Sequence, residues 1–141
     1  MNEADQTLNG MDKIFIMLGS NDCKADFNDS MKLVPLNMKT LINKIKDHPV
    51  YQKYHPEIII ISPPPYASDN KLIGKYKGGS ERIAWLFPRF KKLAEEEGCQ
   101  FIDIYSKLLP IWDQVSEDGI HLTAPGQKII TEIVSKENLE K

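Results

Sequence analysis

A chain of 141 residues, 41% apolar and 27% charged, has the size and composition of one globular domain. Its net charge of −2 is nearly neutral and gives no argument for a nucleic-acid or anionic-membrane partner, and its apolar runs fall far short of the roughly 20 residues a bilayer span needs. The acidic, polar opening MNEADQTLNGMD does not read as a signal peptide, and Cys23 and Cys99 make no disulfide framework, so the expected setting is cytoplasmic with both thiols reduced.

Residues 1–12 read as a loop or a frayed end. Lys13–Leu18 (KIFIML) predicts a strand. Ile14 to Leu18 run without a polar break, the pattern of a strand buried on both faces of a parallel sheet. Gly19 permits a tight exit, which places Ser20, Asn21 and Asp22 at the carboxyl end of that strand. Residues 20–34 read as loop. Pro35 suits the first turn of a helix whose stripe is Met38, Leu41, Ile42 and Ile45, and His48-Pro49 ends it.

Glu57–Ser62 (EIIIIS) predicts a second strand, stopped by Pro63-Pro64-Pro65. Residues 66–79 read as loop. Ser80 is the expected N-cap of a helix carrying Ile83, Leu86, Phe87, Phe90, Leu93 and Ala94, stopped at Gly98 and kinked or split at Pro88. Gln100–Tyr105 predicts a third strand, and residues 106–117 a loop with room for one short helical turn. Thr123 then caps a last helix that buries Ile129, Ile130, Ile133 and Val134. The order βαβαβα, without internal repeats, implies a parallel sheet with helices on both faces. Three strands are few for such a sheet.

Two stretches carry candidate chemistry. In EDGIHLTAPG, Glu117–Gly126, Asp118 and His121 stand three apart just before a helix. In a turn this spacing lets the carboxylate reach Nδ1–H of the imidazole, fix its tautomer and stabilise the imidazolium that forms on protonation. The same residues also suit a plain turn with a surface histidine. In IFIMLGSND, Asn21 has a carboxamide N–H able to serve an oxyanion, a role worth roughly 3–4 kcal/mol of transition-state stabilisation. It also suits a loop asparagine bonded to its own backbone.

Taken together, LGSND and DGIHLTAPG resemble the Asn and His blocks of the SGNH hydrolases, the GDSL-type esterases and lipases. The intervening IIIISPPPY, SERIAWLF and GCQFIDIYS resemble the family's matching elements, so the likeness runs over roughly residues 13–135. The flavour is that of the arylesterase and carbohydrate-acetylesterase branch, with Ser20 where threonine is usual. The resemblance implies a flavodoxin-like three-layer α/β/α sandwich. It implies His121 as general base and acid, Asp118 as its orienter and Asn21 as oxyanion-hole donor. It also implies a small-molecule ester substrate and no cofactor. The family's nucleophile lies in a Gly-Asp-Ser block, and no such tripeptide occurs in this sequence. The expectation is therefore an N-terminally truncated SGNH domain over residues 1–141, entering at the family's third strand. Such a chain would be an impaired or inactive ester hydrolase. The alternative is a non-enzymatic remnant or interaction module. In the family's 2-1-3-4-5 strand order, Ile14–Leu18 would be left as an open sheet edge, so self-association edge to edge and low stability are expected. A flavin or nucleotide binder shares the topology class, but no glycine-rich phosphate loop is present.

Ser20 and Cys23 stand near enough to Asn21 to be weighed as substitute nucleophiles, a Cys–His–Asp set being chemically sensible. Ser62, Ser68 and Ser80 lie at strand or loop ends, with Ser62 read as the terminator of the second strand. Cys99 reads as packed. Asp22 and Asp26 read as solvated carboxylates and not as a metal site. His48 and His55 read as surface residues, and Trp85, Phe87 and Phe90 as core. Pro63-Pro64-Pro65-Tyr66 is expected to line an acyl or alcohol pocket. Lys91-Lys92 and Glu95-Glu96-Glu97 read as a solvated helix face with i,i+4 pairing.

Overall fold

The computed structural model describes residues 10–68 and 70–139. Strand β1, Lys13–Ile16, is followed by two 3-10 segments, Asn21–Cys23 and Ala25–Leu33, and by helices α1, Val34–Asp47, and α2, Pro49–Tyr54. Strand β2, Glu57–Ile61, leads through a long loop to helix α3, Gly79–Glu96. Strand β3, Gln100–Ile102, is followed by the short helices α4, Tyr105–Leu108, and α5, Trp112–Val115, and by the long α6, Ala124–Leu139. Among the described residues the sheet has three strands in the order β1-β2-β3, both pairs parallel.

β2 is the centre of the molecule. Ile58, Ile59, Ile60 and Ile61 are all buried, which requires cover on both faces because successive side chains alternate. Two right-handed crossovers running the same way across the sheet put α1 and α3 on one face. Those helices pack on each other through Met38 and Ile42 of α1 and Ile83, Leu86 and Phe90 of α3. α6 covers the other face with Ile129, Ile130, Ile133 and Val134, and its Asn138 accepts from Lys13 Nζ at the start of β1. The three-layer α/β/α arrangement and the βαβαβα order match the sequence reading.

Several local readings need correction. β1 ends at Ile16, and it is not buried on both faces: Phe15, Met17 and Leu18 are 45%, 45% and 54% exposed. The register with β2 stops at Ile16, opposite Ile60, and no strand covers the other edge among the described residues. Residues 20–34 are not a plain loop, since tight 3-10 turns run straight into α1, whose second residue is Pro35. A short helix, α2, follows His48; the ring of His48 caps it by accepting from Val50 N at 3.2 Å.

Ser80 is not the N-cap of α3. The cap is Gly78, at φ +78°, and Arg82 N already bonds to Gly78 O at 3.2 Å. Pro88 lies inside α3 without splitting it. Ala84, whose carbonyl loses its N–H donor there, is exposed, so that carbonyl is open to water. The third strand stops at Ile102 and not at Tyr105. Ser62 Oγ accepts the N–H groups of Ile104 at 3.0 Å and Tyr105 at 2.9 Å, which turns the chain off the ladder and into α4. Residues 106–117 are correspondingly more helical than expected. Thr123 does cap α6, its Oγ1 accepting from Gly126 N at 3.3 Å. The two histidines read as surface residues, His48 and His55, are exposed, and Phe90 is fully buried.

Candidate active site

The Asp118–His121 loop closes on the Asp118 carboxylate. Asp118 Oδ1 accepts the N–H groups of Ile120 and His121, both at 2.8 Å. Its Oδ2 lies 2.6 Å from His121 Nδ1. The His121 side chain, its ring bond foremost, with the two backbone donors holds the Asp118 carboxyl well below the usual carboxylate range. An ionised carboxylate only accepts, so Nδ1 carries the hydrogen and Nε2 is the nitrogen left free. The pair is open to solvent, 72% for the imidazole and 54% for the carboxylate. An open depression of about 400 Å³ beside it is lined by Glu117, Leu122 and Thr123.

The base of this loop is firmly held. Gly119 turns at φ +84°, and a Cβ there would stand 2.6 Å from Ala67 Cβ. Gly119 N donates to Ser116 Oγ at 3.0 Å, and its carbonyl accepts both Trp112 Nε1 and Ala67 N at 2.9 Å. Val115 O accepts Thr123 N at 2.9 Å and Thr123 Oγ1 at 3.1 Å, which closes the loop behind His121.

Asn21 opens the turn that follows β1. Its side chain is exposed and its carboxamide has no partner among the described residues. The turn beneath it is braced from several sides. Cys23 N donates to Ser20 O at 3.1 Å, Cys23 Sγ to Gly19 O at 3.4 Å, and Arg82 Nε to Cys23 O. Tyr66 Oη donates to Ser20 O at 2.6 Å. Gly19, at φ +112°, lies against Leu86 and Phe90, where a Cβ would fall 2.9 Å from Leu86 Cδ2. An apolar cleft of about 230 Å³ opens beside the turn between Leu18 and α1, lined by Val34, Met38 and Leu41.

Both loops thus meet the dipeptide Tyr66-Ala67 just past the carboxyl end of β2, one through a side chain and the other through a backbone N–H. The sequence reading missed this link. Tyr66 is 3% exposed, and Pro63 and Pro65 are fully buried, so these side chains pack inside the fold. The only local signals were glycines at positions 79 and 119, whose partners are remote in sequence.

Two of the weighed nucleophiles, Ser62 and Cys23, are poorly placed to attack an ester. Ser62 is fully buried and its oxygen already accepts two N–H groups. Cys23 is fully buried, and burial, aided by the Asp22 charge and opposed by Arg82, pushes its thiol up to about 12. Burial also raises the Cys99 thiol. Among the described residues no three His, Cys, Asp or Glu side chains gather into a metal-binding group, and no helix is long and apolar enough to cross a membrane.

Comparison with known proteins bears on the family and the fold. A search of the curated proteins finds no match. Among solved structures, a carbohydrate acetylesterase family member from Sinorhizobium meliloti is 28% identical, with a TM-score of 0.63 over 88% of this chain and 62% of that one. The aryl esterase of M. smegmatis is 26% identical, with a TM-score of 0.62 over 88% of this chain and 60% of that one. A lipase/acylhydrolase from Enterococcus faecalis, 21% identical, shares the fold at a TM-score of 0.70 over 95% of this chain and 65% of that one. The chain therefore spans about six tenths of the length of the structures it matches. The model of the GDSL-like lipase/acylhydrolase family matches residues 2–129, and the chain belongs to that family.

Proposed function

We propose that this chain carries the acid–base and oxyanion parts of a carboxylic ester hydrolase site that works by acyl transfer on small esters. The observation that carries the reading is the Asp118–His121 pair, with Nδ1 held 2.6 Å from an ionised carboxylate and Nε2 free. In this mechanism Nε2 takes the proton of an attacking hydroxyl, and Asp118 stabilises the imidazolium that results. The imidazolium returns the proton to the leaving alkoxide. A water then repeats the sequence on the acyl intermediate and releases the acid. Asn21 donates its carboxamide N–H to the oxyanion in both halves. Acetyl and aryl esters are the first substrates to try, because the S. meliloti and M. smegmatis relatives are named for them.

The nucleophile is the missing part. No Gly-Asp-Ser tripeptide occurs in the sequence, and Ser62 and Cys23 are occupied as described. The isolated chain is therefore an impaired hydrolase. A triad without its nucleophile retains at most about 10³–10⁴-fold over water. The test is hydrolysis of p-nitrophenyl acetate by the chain and by its His121→Ala variant. A slow hydrolysis that disappears in the variant supports the reading. Equal rates in the two would mean that any residual hydrolysis comes from the oxyanion donor and binding alone, and would refute the acid–base role of His121 in this chain.

A second reading, a non-catalytic interaction module, is favoured by one observation. Among the described residues β1 has a free edge, and Phe15 on it and Met17 and Leu18 just after it are exposed, Leu18 lining the cleft beside the turn. An edge of that kind is a template for strand addition, and a second copy of this chain is the simplest occupant.

A further inference from the structure

The segment after β2 is built as a rod and not as a loop. Pro63 and Pro65 are fully buried, and three consecutive prolines hold an extended backbone that makes no ladder bonds. Its foot is fixed by Ser62, which binds the start of α4 through two N–H groups. At its far end two glycines from separate elements make room for it. A Cβ on Gly79 would stand 2.1 Å from Tyr66 Cδ2, and one on Gly119 would stand 2.6 Å from Ala67 Cβ. Tyr66 Oη then binds Ser20 O, and Ala67 N binds Gly119 O. Ser20 adjoins Asn21, and Gly119 lies between Asp118 and His121.

We propose that Pro63–Ala67 is a strap that sets the Asn21 turn at a fixed position relative to the Asp118–His121 loop, with Tyr66 as its positioning residue. The catalytic meaning of that spacing rests on the ester-hydrolase reading above; the mechanical coupling does not. Neither loop touches the other through a hydrogen bond among the described residues, so the strap is the shared body through which each senses the other. Burial raises the Tyr66 hydroxyl above its ordinary range, which keeps it a donor throughout the neutral pH range.

The test is amide hydrogen exchange, residue by residue, in the chain as it stands. Tyr66→Phe keeps the ring packed beside Gly79 and removes only the bond to Ser20. The expected result is about tenfold faster exchange at Cys23 N–H and also at His121 N–H, with α3 amides unchanged. Trp112→Phe perturbs the other end, because it removes one of the two bonds to Gly119 O, the second coming from Ala67 N of the strap. It should speed His121 most and, through the strap, Cys23 to a smaller extent, with α3 amides unchanged. A tyrosine that merely stabilised the fold would speed all amides by one common factor, and that outcome overturns the proposal. So does an effect of Tyr66→Phe confined to the Asn21 turn. These readouts need no turnover, so a strap that fails is distinguishable from a hydrolase that fails. If His121-dependent hydrolysis is found, Tyr66→Phe should lower kcat and leave KM unchanged.

Discussion

β1 and β2 are both unbroken apolar runs, and they meet opposite fates. β2 has a strand on each side and a helical layer on each face, so all four of its isoleucines are buried. Among the described residues β1 has a strand on one side only, and Phe15 is 45% exposed on a run just as apolar. A run of apolar residues specifies a strand. Whether that strand is central or marginal depends on what arrives beside it, which the run does not encode.

The largest expected effect tests burial directly. Ile60→Ala should cost about 2–5 kcal/mol, because it opens a cavity in the most enclosed strand. Phe15→Ala, on the open strand, should stay within about 0.5 kcal/mol. Urea denaturation of both variants measures the contrast, and equal losses would abolish it. Ser62→Ala comes next. It orphans the buried N–H of Ile104 and the half-buried one of Tyr105, and an expected loss of about 1–3 kcal/mol follows. Thermal unfolding of that variant shows whether β3 is terminated by this bond or by its own sequence.

Phe15→Lys sharpens the comparison at the edge. A charge on an open strand blocks pairing with another strand while leaving the fold nearly unchanged. Sedimentation should show association in the natural chain and a shift toward monomer in the variant. A natural chain that sediments as a stable monomer would remove the support for edge pairing. The smallest effect concerns Cys23, at the exit of β1. Its folded pKa is raised to about 12, above the roughly 8.5 of an unfolded thiol. Its contribution is complete below about pH 8.5 and is lost as pH rises toward 12, because the unfolded thiol gives up its proton first. The fall in urea midpoint between neutral and alkaline pH should therefore be smaller in Cys23→Ala than in the natural chain.

What was legible in the sequence follows the same division. Helix stripes such as Met38 and Ile42, and the buried run of β2, depend on periodicity within a few residues. So does the Asp118–His121 spacing. The family resemblance supplied Asn21 its candidate partners. The misread features all depend on remote groups. Gly78 and not Ser80 caps α3, and the helix begins beneath the Tyr66 ring. β3 stops at Ile102 because Ser62 reaches across to residues 104 and 105. Nothing beside Tyr66 in the sequence says that its hydroxyl belongs to Ser20, 46 positions away.

The Asp118–His121 pair has a consequence in time as well as in space. All its bonds close within three residues, whereas the Tyr66–Ser20 bond spans 46 positions. Closing a long loop carries an entropy cost that a three-residue turn escapes, so long-range contacts form late. The imidazole is oriented by contacts that need no distant loop to close. The Asp118–His121 pair is thus the product of one turn, and the rest of the chain decides what stands opposite it.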